Sequence, residues 1–533
     1  MLKPPDKLES DRGVAPAAAG VLLALALAFA LALSAANIVL GPLNLDEGWY
    51  LLAARNFAAG LRPYRDFFFT QAPLMPAAYG ALSPLWLPQG VLGGRVLTAT
   101  LGLAASGLAA CAAAVAAGQG RRFAAAVTAF LLLQCNVVHS YFTAIPKTYA
   151  LAALFASGGA LALALAMCRR KAAGTSSLLA GLLFALASAT RLSLGAMLPA
   201  IGFCLLATHR RNGLLWFWFG IGGAAGLAIA IAPFALCDLD SFAFANFFHG
   251  GRSQGGVALA LGSVSRLLRN YMPLALLALA AVSMAFSGMR RGAAAECGAR
   301  AYLIALSLAF ASAFAVHVLA PFPYDDYQTP IMPLAAIVAS AAFWSLCGEA
   351  RQAPLLAAFL LSSAAFALTS PMNESWLVLR KDRFWVEKKT RPDLLALRDA
   401  ARDVALISPT GAPILTQDGY LAVEAGLDVP AGFEMGPFGF FAELSDGEAR
   451  RYHVLNLNLA LDAIRGGECP VAALSGYAFS MSAPALRRDD GIRAVIDAAL
   501  RDRYALEKTI PDFGQEHTPL AVWRLKEART EGQ

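Results

Sequence analysis

Apolar stretches long enough to cross a bilayer recur from Val14 to about Thr369 and then stop, and no other feature of the chain constrains its fold as tightly. A membrane-spanning helix needs roughly 20 apolar residues. Runs of that kind lie at about 15–40, 90–117, 123–138, 148–167, 174–190, 193–208, 213–236, 271–287, 301–320, 329–347 and 354–370. In lipid every backbone polar group must find its partner inside its own segment, so these runs are expected to be helices. With 58% hydrophobic and only 15% charged residues, water cannot be the solvent for most of the chain.

The net charge of +7 does not call for nucleic acid, because the basic residues are scattered in small groups between the apolar runs. Arg121/Arg122, Arg169/Arg170/Lys171, Arg210/Arg211, Arg290/Arg291 with Arg300, and Arg351 fall in every second loop. The positive-inside rule places those loops, and the N-terminus, in the cytoplasm. Loops 41–89, 139–147, the turn at Thr190/Arg191, 237–270 and 321–328 then face outward, as does everything after the last span. Residues 1–370 therefore read as a polytopic α-helical membrane domain of about 11 transmembrane helices, and 371–533 as an extracytoplasmic α/β domain. In that tail, helical pattern (Asp393–Leu406, Tyr452–Arg465, Gly491–Arg501) alternates with strand-like runs (Pro413–Thr416, Pro470–Leu474, Leu520–Leu525). It has no phosphate-binding glycine loop and no nucleophile elbow. None of the eight cysteines forms a CxxC pair, which argues against metal or redox motifs. A Cys237–Cys469 disulfide is conceivable if both face an oxidising compartment.

The richest segment is the first outward loop, LNLDEGWYLLAARNFAAGLRPYRDFFFTQAPLMPAAYG from Leu43 to Gly80. Asp46 and Glu47 open a helical pattern that Gly60 would end, and Pro73 and Pro76 keep the following aromatic segment from spanning. The expectation is an amphipathic interfacial helix that holds a carboxylate pair at headgroup depth. A carboxylate there suits a general base toward an acceptor hydroxyl attacking an activated sugar whose leaving group is a lipid phosphate. The plainer alternative is that Asp46 caps the helix, with Glu47 in its first turn.

Asp46-Glu47 with Tyr50 and Ala54, then Gly60, Pro63-Tyr64, Asp66 and Pro73-Leu74, resembles the first-loop signature of the GT-C glycosyltransferases, which include protein O-mannosyltransferases and lipid A aminoarabinose transferases. That resemblance implies a catalytic aspartate in this loop and a polyprenyl-phosphate-linked sugar donor. It makes Asp46 the base and Glu47 its supporting carboxylate, while Tyr50 and Tyr64 line or pack the loop near substrate. Aminoarabinose transferases carry a Lys-Pro-Pro run late in this loop, whose lysine contacts phosphate; here the matching stretch is Gln71-Ala72-Pro73, which sets the chain apart from that subfamily. The phosphate must find its cation elsewhere. Ionisable groups near hydrocarbon are costly and tend to be functional. Arg191, in a tight outward turn, is the first candidate, followed by Lys147 beside Pro146, with Arg62 and Arg65 as further ones. His249, Arg252, His317, Asp325, Asp326 and Tyr327 are candidates for binding sugar or diphosphate.

No cofactor is required on this reading. A divalent metal is the open alternative, since Asp46, Glu47, His249, His317 and the Asp325/Asp326 pair can converge in space, although no local ligand spacing supports one. The expected function is an inverting glycosyltransferase at the outer face of a bacterial cytoplasmic membrane. Its partners would be the lipid-linked donor, membrane lipids and a hydroxyl acceptor on an envelope glycan, lipid or protein, with no nucleic acid. A transporter or lipid flippase, and a non-catalytic envelope assembly protein, are the competing classes. The first predicts charges at the bilayer midplane and broken helices, of which the sequence has few. The second leaves the acidic loop without a purpose.

Overall fold

A computed structural model of the chain describes residues 16–169, 172–208, 214–248, 256–289, 297–321, 323–347, 352–369, 391–479, 490–515 and 517–526. Helices stand at every expected span. In chain order they are α1 (Pro16–Leu40), the loop helices α2 (Leu45–Ala58) and α3 (Leu74–Ala81), then α4 (Gly90–Ala117), α5 (Arg122–Gln134), α6 (Thr148–Ala164), α7 (Ala173–Thr190), α8 (Met197–Thr208), α9 (Leu214–Ala230), α10 (Val257–Asn270), α11 (Met272–Met289), α12 (Cys297–Val318), α13 (Met332–Leu346) and α14 (Gln352–Thr369). Among the described residues seven helices are long and apolar enough to cross a membrane singly, and α10 and α11 qualify as one bent pair. Three shorter apolar helices (Arg122–Gln134, Leu192–Thr208 and Gln352–Leu368) fall at the remaining expected positions. The protein is a multi-pass membrane protein.

Small residues bring the bundle together. Gly181 and Gly222 sit where a Cβ would lie 2.0 Å from a backbone carbonyl of the facing helix, so α7 and α9 touch backbone to backbone. Close approach of this kind replaces the hydrophobic drive that lipid cannot supply. Around it, alanines of α4, α5, α6 and α13 form the membrane core with Phe184, Tyr302 and Trp344. Residues 257–270, expected as loop, form α10, which meets α11 at 89°. Its apolar residues share a helix with Arg266 and Arg269 (Leu267 is buried, Leu261 and Leu268 are exposed), the pattern of a helix lying along an interface.

The tail builds a four-stranded sheet ordered β1-β2-β4-β3, from β1 (Ile414–Leu415), β2 (Val471–Ser475), β3 (Tyr504–Phe513) and β4 (Thr518–Leu525). β1 and β2 are parallel, and the other pairs are antiparallel. Its larger helices are α15 (Asp393–Ile407), α16 (Gly419–Ala425), α17 (Leu457–Gly466) and α18 (Asp490–Arg503). The sequence pattern misses β3, because that edge strand is exposed along most of its length and so lacks the alternation that marks a half-buried strand. α17 also begins later than Tyr452, where the Asn456 side chain caps it by accepting from the Leu459 N–H. Cys237 and Cys469 are both free, so the conceivable disulfide is not formed.

The tail docks on the first loop, and the two share one hydrophobic core. α2 is covered there by α16, contrary to the expectation of a helix lying open in the interface. Gly48 and Gly419 meet so closely that a Cβ on Gly48 would stand 2.3 Å from the Tyr420 nitrogen. Trp49 packs edge-on against Phe438 at 4.2 Å, and Arg55 donates to the carbonyls of Ala422 and Leu427. Leu43 N donates to Asp393, and Leu45 N to Gln515. Val91 N, at the start of α4, donates to Glu424 of the tail.

Candidate active site

Asn44 begins α2. Its side chain accepts from the Asp46 N–H, and the Glu47 carboxylate reaches back to the Asn44 N–H at 2.8 Å, completing a capping box. The cap fixes Asp46 and Glu47 in the first turn but sends them to different partners. Glu47 is fully buried, and its two oxygens take Arg95 Nε and Nη2 at 2.8 and 2.7 Å. Arg95, inside α4, also donates to the carbonyls of Ile38, Gly41 and Pro42, tying the C-terminal end of α1 to the loop helix. Glu47 is thus held in a dry structural clamp in which both of its oxygens already accept hydrogen bonds. Sequence reasoning misses Arg95, although a lone arginine within an apolar span is the available signal.

Asp46 points the other way. Its Oδ2 lies 2.8 Å from Lys147 Nζ, and the side chain keeps 27% of its surface exposed. Lys147 is the residue before α6, and its 5%-exposed ammonium also bonds Asp326 Oδ2 at 2.8 Å. Asp326 accepts a second bond from the Tyr149 hydroxyl at 2.9 Å. Burial raises the Asp46 carboxyl above its ordinary range, opposed by the charge of Lys147 and its hydrogen bond. Burial works to lower the Lys147 ammonium, but the charges of Asp326 and Asp46 outweigh it and hold the group well above its usual value.

Arg191 is the residue after α7, in extended backbone that leads into a short 3-10 turn, Leu192–Ala196. Its guanidinium is enclosed by two aromatic rings, 4.3 Å from the Tyr327 centroid and 5.1 Å from that of Tyr149. Arg191 is 6% exposed, and its Nε has no hydrogen-bond partner among the described residues. A buried guanidinium held between rings, with its Nε unpartnered among the described residues, is suited to meet an anion. The Tyr149 ring adjoins both cations, 5.3 Å from Lys147 Nζ and 5.1 Å from the Arg191 guanidinium.

Tyr327 and Asp326 come from the 3-10 turn Asp325–Ile331 that precedes α13. Nearby, His317 at the end of α12 bonds Ser193 Oγ at 2.7 Å and Gln328 at 3.3 Å, and its ring meets Tyr327 edge-on. Five segments thus converge at one end of the bundle: the starts of α2, α6 and α13 and the ends of α7 and α12. Of the expected site residues, Asp46, Lys147, Arg191, His317, Asp326 and Tyr327 are brought together. Tyr50 is buried beside them, between Trp49 and Phe69. Tyr149, Gln328 and Ser193 complete the cluster without having been singled out in the sequence, since a tyrosine or serine at a helix end carries no signal of its own.

Tyr64 lies apart. Its hydroxyl donates to the Gln71 carbonyl and its ring packs on Phe242 at 5.0 Å, so it shapes the loop. Arg62 donates to Cys237 and Arg65 pairs with Asp66, and neither touches the Asp46 cluster. His249, Arg252 and the Asp325 side chain lie outside the described residues. Among the described residues no three His, Cys, Asp or Glu side chains group as metal ligands.

No protein-family model matches the sequence, and no curated protein does. Solved structures match its fold. ArnT from Cupriavidus metallidurans bound to undecaprenyl phosphate aligns with TM-score 0.60 at 14% identity, over 98% of this chain and 100% of that one. The apo state of the same protein aligns with TM-score 0.61 at 16% identity, over 95% and 98%. The Archaeoglobus fulgidus oligosaccharyltransferase tethered with an acceptor peptide matches more loosely, with TM-score 0.48 at 12% identity over 92% of this chain and 72% of that one. The chain therefore has the fold of these ArnT structures, a helical membrane bundle carrying a small sheet domain.

Proposed function

We propose that this protein is an inverting glycosyltransferase that moves a sugar from a polyprenyl-phosphate carrier to an acceptor hydroxyl, with Asp46 as general base and Arg191 as the cation for the carrier phosphate. The observation that carries the reading is the pairing of a partly exposed, anchored carboxylate with an enclosed guanidinium whose Nε has no partner among the described residues. As the acceptor oxygen bonds to the anomeric carbon, its proton passes to Asp46. The bond from that carbon to the phosphate oxygen breaks, and the electron pair leaves with the carrier phosphate toward Arg191. A base helps by reaching the hydroxyl within hydrogen-bond distance. A fixed cation helps by meeting charge that grows only in the transition state. One direct displacement inverts the anomeric configuration.

Glu47 acts in this scheme through Arg95, as a positioning residue that fixes the turn bearing Asp46. The basic loops put the N-terminus in the cytoplasm and the site at the outer face of a bacterial inner membrane, with residues 371–533 as a periplasmic domain over residues 1–370. The docking of the tail on α2 supports that division, because it places the tail at the same bundle end as Asp46. The likeness to a protein solved with undecaprenyl phosphate supports a lipid-linked donor. The test is turnover by the purified protein in lipid, offered a panel of polyprenyl-phosphate sugars with envelope glycan, lipid and protein acceptors. Release of polyprenyl phosphate with an inverted product is expected; a product that retains the donor's configuration, or no turnover with any pair, overturns the reading.

A further inference from the structure

We propose that the Lys147 ammonium takes the place of a divalent cation in this site, and that the Asp46/Asp326 pair becomes a metal site only when that lysine is removed. The proposal rests on the site described above, but its binding arm needs no glycosyl transfer.

Two carboxylates from distant parts of the chain converge near the enclosed Arg191 guanidinium. That is an arrangement in which hard divalent cations bind, through carboxylate oxygens and shared phosphate oxygens. Here the position between them is filled from within. Lys147 Nζ lies 2.8 Å from Asp46 Oδ2 and 2.8 Å from Asp326 Oδ2, and the ammonium lies 5.3 Å from the centroids of both Phe142 and Tyr149. At 5% exposure the lysine is seated, with little room to swing away and admit an ion. The residues present therefore do not suit a resident metal while Lys147 is in place.

The exchange has a chemical consequence. A dication bound directly to Asp46 would hold its lone pairs and weaken it as a base. A single positive charge on a hydrogen-bonded ammonium keeps the carboxylate oriented and ionised, while burial keeps its proton affinity above that of a free aspartate. The lysine is in this respect a positioning residue for Asp46. Arg191 remains as the cation that faces phosphate.

The experiment uses the full chain in lipid nanodiscs and reads Mn2+ binding by electron paramagnetic resonance. Wild type, Lys147→Ala, Lys147→Ser and the double variant Lys147→Ala/Asp326→Asn are compared, with thermal unfolding of each as the check on folding. Wild type is expected to bind no Mn2+ at about 1 mM, and the single variants to bind one ion with Kd on the order of 10⁻⁴–10⁻³ M, the range of weak carboxylate sites. The double variant is expected to lose it. A chelator is expected to leave wild-type turnover unchanged. Mn2+ binding to wild type as tight as to the variants overturns the proposal, as does the absence of binding in a folded single variant or loss of wild-type turnover on chelation. A gained Mn2+ site in a protein that turns over no donor leaves this inference standing and removes the transferase reading alone.

Discussion

Replacing Arg191 with methionine separates a group that serves chemistry from one that serves the fold. In the structure the guanidinium is in contact with the Tyr149 and Tyr327 rings and its Nε has no acceptor among the described residues, so its removal strands no hydrogen-bond partner described there. The loss to stability is the cation–π attraction, about 1–2 kcal/mol, partly returned by no longer burying a charge. The loss to the reaction is that of a fixed donor aimed at developing phosphate charge, which costs about 2.7–4 kcal/mol, or roughly 10²- to 10³-fold in turnover. Arg95→Met gives the opposite pattern. It strands the Glu47 carboxylate in a fully buried site, and breaking such a pair costs about 3–5 kcal/mol of stability. Thermal unfolding in nanodiscs and single-turnover release of polyprenyl phosphate measure both quantities on the same samples. The assignment of Arg191 fails if its methionine variant turns over like wild type, or if it unfolds as readily as Arg95→Met.

Gly48→Ala puts a methyl group against the backbone of Tyr420, which cannot yield as a side-chain tip would. The cost expected is about 1–3 kcal/mol, seen as faster proteolytic release of the tail from the bundle; an unchanged cleavage rate removes the close contact from the account. Only the ionised Asp46 accepts a proton, and burial raises its pKa above that of an ordinary aspartate, so activity should fall as the pH drops through a midpoint higher than an ordinary aspartate would give. Lys147→Met removes the charge that opposes this rise, and the acid limb of the pH–rate profile should move to higher pH. A limb that stays in place or moves lower contradicts the role given to Lys147.

The spans were legible because hydrocarbon leaves the chain few choices, and helices formed at each apolar run. Arg191 and Lys147 were legible for the same reason, as isolated charges at the ends of apolar helices. The partner of Glu47 was not, because Arg95 lies within a span and its proximity to Glu47 exists only once α1, α2 and α4 have packed. The same holds for Tyr149 and Asp326, which meet at 2.9 Å although 177 positions separate them in sequence. The coverage of α2 was hidden for a different reason. Its apolar residues are compatible with lipid or with protein, and contacts that exist only in the fold, the Gly48–Gly419 approach and the Trp49–Phe438 packing among them, decide for the tail. Strand β3 escaped because exposure on an edge removes the periodicity from which strands are read.

The most direct test of Asp46 as the base is the single-turnover rate of Asp46→Asn with a saturating polyprenyl-phosphate sugar that wild type accepts. The amide is nearly isosteric and retains a carbonyl oxygen to accept from Lys147, so the fold and donor binding are expected to persist. Proton transfer by a positioned base is worth about 10²- to 10⁴-fold, and the rate should fall by that factor at unchanged donor affinity. A variant that transfers sugar at the wild-type rate contradicts the account at its centre.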